Sequence, residues 1–192
     1  FRPHCGDAKK DSLALMSGLP DVDSLHAVYL IAFAIAGTSC LAGAWQAREV
    51  SLHGVRRGLI GLLLTSGIWA FLHVGVLLAP GLGLKTALYK VGLIVGFGTV
   101  WAWLWLCSAY SGRSLHRSRT AWTVGLTVIA VVTLTKLTNP WHGLYFSAGW
   151  ASMPFPHLRV DYHVLHWITT ALSYALAMVG FFMLIEPLRQ VQ

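Results

Sequence analysis

The chain alternates long apolar runs with short polar breaks, and the breaks carry most of its charge. Five runs are long enough to cross a bilayer as helices, which takes about 20 predominantly apolar residues. They lie at about residues 26–45, 59–78, 86–110, 121–137 and 161–185. The breaks are chemically plain. The first run ends at Gln46, Arg48 and Glu49, the second at Ala79-Pro80-Gly81, and the third at Tyr110 before a basic loop. The fourth stops at Asn139-Pro140, where the proline ring disfavours helical backbone at Asn139 and Pro140 has no N–H to give. The fifth closes at Glu186-Pro187-Leu188-Arg189. This pattern predicts an all-α integral membrane protein built as a five-transmembrane-helix bundle. Residues 1–24 are polar and mixed, so they predict an extracytoplasmic N-terminal segment ahead of a transmembrane domain over residues 25–192. Within that segment, Asp11-Ser12 could cap a short helix over Leu13–Met16 lying on the membrane.

Composition supports this reading. Hydrophobic residues make up 56% of the chain and charged residues only 11%, against about 25% charged in soluble domains. Nine Trp and nineteen Gly fit a membrane protein, because Trp populates interfaces and Gly is common in spanning helices. The net charge of +7 does not point to nucleic acid, since the basic residues sit in short loops against anionic lipid. Cys40 and Cys107 fall inside apolar runs and Cys5 has no partner nearby, so no disulfide framework follows. The first residues do not form a signal peptide, and a start at Phe1 suggests a processed or truncated product.

Loop charge predicts orientation. Arg48, Arg56, Arg57, Arg113, Arg117, Arg119 and Arg189 all fall on one side, which the positive-inside rule makes cytoplasmic. The N-terminus is then outside and the C-terminus cytoplasmic. The outer side carries Asp7, Asp11, Asp21, Asp23 and Asp161, together with Thr138-Asn139-Pro140-Trp141-His142-Gly143-Leu144-Tyr145-Phe146. Trp141 and Tyr145 are interfacial aromatics, and His142 adds a titratable group. That stretch reads as a polar-aromatic cap on the mouth of the bundle.

Histidine placement is the main chemical lead. With this topology His4, His26, His73, His142, His157, His163 and His166 lie on the outer side, seven of nine. His163 and His166 would share a helix face, and His142, His157 or Asp161 could complete a shell for zinc or copper. His73 facing His163 or His166 could instead ligate a haem. A pH sensor is a third reading. Against all three stands the commonplace one, imidazoles bonded to interfacial water, headgroups or carbonyls. A metal ion or a haem at the outer face are thus the cofactors to consider, and no HExxH or CxxCH supports either. The residues favour none.

Two lysines fall within spans. Lysine is costly in a membrane and by default suggests function. Lys136 is one turn from the outer end and is expected to snorkel there, while Lys90 could snorkel or pair with Asp161. Close packing is expected at Gly92 and Gly96 in the third span, at Gly37 and Gly43 in the first, and at Ala171 and Ala175 in the fifth, within the chain or at a dimer face. Nothing in the sequence suggests catalysis. No phosphate loop, G-x-S-x-G or intramembrane acid pair is present, so the chain is not expected to be an enzyme.

The segment Thr138-Asn139-Pro140-Trp141-His142-Gly143-Leu144-Tyr145 resembles the TNP-x-H-x-L-aromatic stretch in the N-terminal 7TM sensor region of histidine kinases. Trp69 in the second span, Lys85 before the third, Tyr110-Ser111-Gly112-Arg113 at its end, and His166 and Tyr174 in the fifth are similar to further features of that family. The resemblance covers about residues 27–186, the first five of seven helices. It implies a non-catalytic sensor in the bacterial inner membrane that receives an outer-face stimulus and passes it to cytoplasmic partners. Asn139, Pro140, Trp141, His142, Tyr145, His166 and Tyr174 would form the sensing site. The family's seven helices against five here imply either a fragment or a relative put to another use. The alternatives are a structural subunit of a larger respiratory or photosynthetic membrane complex, and a b-type cytochrome. The expected partners are the lipid bilayer and either other membrane subunits or a second copy.

Overall fold

The computed structural model describes residues 22–153 and 155–189. Five long helices form a bundle: α1 (Val22–Gln46), α2 (His53–Leu78), α3 (Leu82–Tyr110), α4 (Arg119–Leu137) and α6 (Val164–Arg189). A single turn, α5 (Asn139–His142), follows α4, and a hairpin of β1 (Phe146–Ala151) and β2 (His157–Tyr162) leads into α6. All five long helices are long and apolar enough to cross a membrane. With α1 at 25 residues and about 1.5 Å of rise per residue, each is of the scale of a hydrocarbon core about 30 Å thick. Large apolar side chains such as Val28, Ile31, Ile68, Val131 and Phe182 point outward, as lipid requires. The chain is an integral membrane helical bundle.

The central helix is α3. It packs most extensively on α2, whose other flank holds α1, and it also receives α6 and α4. Close approach depends on glycine. A Cβ at Gly58 of α2 would lie 2.8 Å from Leu106 Cα and 2.9 Å from Leu106 N, so here one helix meets the backbone of the other. A Cβ at Gly125 of α4 would overlap the Trp101 ring, and one at Gly180 of α6 would overlap the Trp103 ring. Trp103 Nε1 donates to Ala177 O at 3.2 Å, completing the α3–α6 contact. Gly92 and Gly96 do pack inside the chain, against Leu72 and His73 and against Trp69. Ala171 and Ala175 do not: both are exposed on the outer surface of α6.

Helix ends follow local chemistry. Ser118 caps α4 by accepting from Ala121 N at 3.3 Å. At the end of α2, Pro80 leaves Val76 O without its usual donor four residues on. Lys85 supplies it: Nζ donates to Val76 O at 2.7 Å and Leu77 O at 3.1 Å, with the residue only 1% exposed. A cation there also suits the negative end of the helix dipole.

Three sequence expectations are corrected. The fifth span begins at Val164, not Asp161, because Asp161 lies in β2 opposite Ser147. The segment before it is an antiparallel hairpin with Phe146 opposite Tyr162, where the pattern of apolar runs shows only a polar break. Arg56 and Arg57, expected in a short loop, belong to α2 together with His53. The proposed short helix over Leu13–Met16 lies outside the described residues.

The Gly58–Leu106 contact gives a test. Gly58→Val must part α2 from α3 and is expected to cost about 1–3 kcal/mol, read as a lower thermal unfolding midpoint in detergent. Gly98→Ala is the control, since nothing lies within 4 Å of a Cβ there. It should leave the midpoint unchanged or raise it, alanine being the better helix former by about 1 kcal/mol.

Candidate functional site

The end of the bundle that carries the hairpin is tied together by one carboxamide. Asn139 is buried. Its Oδ1 accepts from Tyr145 N at 2.9 Å and Phe146 N at 3.3 Å, and its Nδ2 donates to Phe146 O at 2.7 Å. This closes a turn from α5 to β1. Gly143, with φ +64°, makes the left-handed reversal that the turn needs. His142 caps the end of α4. Its Nδ1 accepts from Leu144 N at 3.0 Å, so Nε2 carries the hydrogen and faces Thr135 O and Thr138 Oγ1, both at 3.2 Å.

The same turn grips α6. His163 N donates to Tyr145 O and Leu165 N to Leu144 O, each at 3.1 Å. The Tyr145 hydroxyl, on a side chain only 2% exposed, lies 2.6 Å from Thr169 Oγ1. Burial pushes the Tyr145 hydroxyl pKa upward, partly opposed by that bond, so the phenol stays neutral.

Beneath this cap lie two cavities. The larger, about 450 Å³, is bounded by Tyr29 and Phe33 of α1, His73 of α2, Lys85 and Tyr89 of α3, and Leu158, Val160 and Tyr162 of β2. The smaller, about 140 Å³, is bounded by Trp69, Leu93, Phe97, Lys136, Tyr145, His166, Thr170 and Ser173. Two aromatic pairs join their walls. Tyr162, on the larger cavity, stacks on His166 of the smaller at 3.9 Å between centroids. His73, on the larger, lies 4.0 Å from Trp69 of the smaller. A bond of 3.1 Å from Tyr89 Oη to Tyr162 Oη fixes Tyr162.

Lys136 turns inward and does not snorkel. It is 2% exposed, its Nζ donates to Leu93 O at 2.6 Å, and it faces the Phe97 and Tyr145 rings at 5.3 and 5.6 Å. Geometry explains this. Val132, Lys136 and Asn139 follow one another by four and three residues along one buried face. Lys90 does not pair with Asp161, which is exposed and bound to Arg159 at 3.3 Å.

The residues expected to sense or ligate are thus dispersed. Tyr145 and His166 line the smaller cavity and His157 the larger. Asn139 and His142 hold the turn together. Trp141 is 87% exposed, with Pro140 beside it in the α5 turn. Tyr174 is 71% exposed on the outside of α6, away from both cavities.

The metal shell of His142, His157, Asp161, His163 and His166 does not assemble. Among the described residues no group of three His, Cys, Asp or Glu is placed to hold an ion. The nitrogens of His142 are engaged as above, His157 Nδ1 is bound to Phe155 O at 2.7 Å, and His163 precedes α6 without sharing its face. Nor does a haem pair form, since His73 and His166 line different cavities.

Sequence reasoning missed Thr170 and Ser173 as cavity residues and met Trp69 only as a point of family resemblance. Their shared signal was a polar or amphipathic side chain within an apolar span.

A family model described as the N-terminal 7TM region of histidine kinase matches residues 28–192. No curated protein and no solved structure matches the chain.

The Asn139 tie can be measured. Asn139→Ala leaves buried backbone groups unpartnered at about 1–3 kcal/mol each. The expected result is a lower unfolding midpoint and faster proteolysis between β1 and β2. Asn139→Asp keeps the acceptor and loses the donor to Phe146 O, so it should fall between wild type and Asn139→Ala.

Proposed function

The chain belongs to the family of N-terminal 7TM regions of histidine kinases, and from that premise we propose that it is a membrane input module whose outer mouth receives a stimulus and whose α6 delivers it to cytoplasmic signalling partners. Membership makes it a multi-pass membrane protein of a non-catalytic sensor region. The finer reading rests on the outer turn. Residues that close the cavities, Tyr145 above all, are bonded directly to the first turns of α6. A change in what the cavities contain therefore acts on α6 without an intermediary. Two states of that contact would be enough for signalling, because a ligand shifts an equilibrium by its differential affinity for the two states.

In this reading the hairpin faces outward and the arginine-bearing loops face the cytoplasm, in the bacterial inner membrane. A second reading is a structural subunit of a larger membrane complex. It is favoured by the outward Ala171 and Ala175, which give α6 a face smooth enough for a partner helix or a second copy.

Orientation is checked by labelling in intact cells in a Cys5→Ser background. Met153→Cys should react with a membrane-impermeant maleimide, and Arg117→Cys should react only after permeabilisation. The opposite pattern inverts the topology. Function is checked by a photo-crosslinking residue at Ile185 in native membranes. Capture of a histidine-kinase catalytic region supports the input module. Capture of respiratory or photosynthetic subunits overturns it in favour of the second reading.

A further inference from the structure

The smaller cavity combines features that seldom occur together in a membrane bundle. Lys136 is buried with Nζ bonded only to a main-chain oxygen, and among the described residues it has no carboxylate partner. Of the acids whose side chains are described, Asp161 pairs with Arg159 on the surface of the hairpin, and Glu49 lies in the turn between α1 and α2. His166 Nδ1 is buried and has no hydrogen-bond partner. Both groups border the same cavity, and both face the Tyr145 ring, Lys136 Nζ and the His166 ring centre each lying 5.6 Å from its centroid. The Thr170 hydroxyl borders it too, while Leu93, Phe97 and Trp69 form an apolar wall.

A buried ammonium without a counter-charge and a buried imidazole nitrogen without a partner are both costly. One guest relieves both: an anion small enough for the space, able to accept from two directions, with an apolar end for the wall. At roughly 30 Å³ per water-sized group, a cavity of about 140 Å³ holds four or five non-hydrogen atoms. We propose that this cavity is a binding site for a short-chain monocarboxylate of two or three carbons. One carboxylate oxygen accepts from Lys136 Nζ and the other from His166 Nδ1–H and Thr170, with the alkyl end against Leu93 and Phe97. Lys136 lies in the last turn of α4, at the end of the bundle that carries the hairpin. The bound carboxylate bridges α4 to α6, so its arrival pulls on the helix assigned to output. Only this last consequence rests on the input-module reading.

The test is calorimetric titration of the purified full chain with sodium acetate and sodium propionate, with sodium chloride and sodium benzoate as comparisons. The expected result is one site per chain with Kd of about 1 mM or tighter. Chloride should not compete, and benzoate should be too large to bind. Lys136→Met should weaken acetate binding by about tenfold or more, the scale of a charge-assisted hydrogen bond. His166→Phe should weaken it less, and Thr170→Val tests the same contact should Lys136→Met fail to fold. Absence of saturable acetate and propionate binding at concentrations about tenfold above that Kd overturns the proposal. So does binding unchanged in every folded variant, or equal competition by chloride. Titration needs no output partner. Its failure leaves the input module to the crosslinking result, and binding alongside captured complex subunits would keep the site while removing the sensor.

Discussion

The hairpin-bearing half of the bundle depends on the Asn139 side chain replacing a missing stretch of secondary structure. Pro140 cannot donate a backbone hydrogen bond, so the chain cannot continue α4 past Thr138 in the ordinary way. A helix end near the membrane boundary must then find partners for its free groups or expose them. Asn139 resolves this by behaving as a peptide group turned sideways. It accepts two N–H groups and donates to one carbonyl, all from Tyr145 and Phe146. The turn so closed sets where β1 begins, where Tyr145 enters the bundle, and through His163 and Leu165 where α6 starts. Serine or threonine could accept but could not both accept and donate across that span, which is why the carboxamide is the apt side chain here.

Two lysines show the same logic with opposite outcomes. Lys85 spends two of its hydrogens on the last carbonyls of α2, one of which Pro80 has left without a donor. Its charge is answered by the end of a helix dipole and by the Trp150 ring at 5.7 Å. Lys136 spends one hydrogen on Leu93 O, in the middle of α3, where no helix end offers a dipole. Its remaining neighbours are ring faces, which attract a cation but do not neutralise it. The first lysine completes a fold and the second opens a site, though both read alike as lysines near the ends of apolar runs.

That difference marks the limit of what the sequence makes legible. The five spans could be read because lipid demands about 20 apolar residues in succession. Which face of each helix points inward could not, because the outward face is apolar too and no stripe distinguishes it. Ala171 and Ala175 illustrate this: small residues four apart mark a packing face only if that face looks inward, and theirs looks out. Gly58 and Gly180 do look inward, yet no helix-pair motif drew attention to them. The hairpin left a clearer trace. Leu158-Arg159-Val160-Asp161-Tyr162 alternates with a period of two, the sign of a half-buried strand. It merged with the apolar run that follows, and so Asp161 was counted in a helix. The candidate site was legible only in part, at Tyr145 and His166, since the remaining wall is assembled from residues scattered over four helices.

Placing a hairpin between α5 and α6 has a mechanical consequence. A loose loop would let the outer mouth change without moving α6. Here Tyr162 stacks on His166, Tyr145 bonds Thr169, and the backbone of residues 144 and 145 bonds the start of α6. These contacts occupy the first two turns of that helix, so displacement of the hairpin must shift or rotate it as a body. The inner half of α6 meets α3 through Gly180 against Trp103, a close contact but one formed by a side chain. The α2–α3 contact at Gly58 is made instead with the backbone of Leu106, which cannot swing aside as a side chain can, and so resists sliding more. In the proposed input module, motion entering at the hairpin would therefore have an easier path along α6 than through the α1–α2–α3 core.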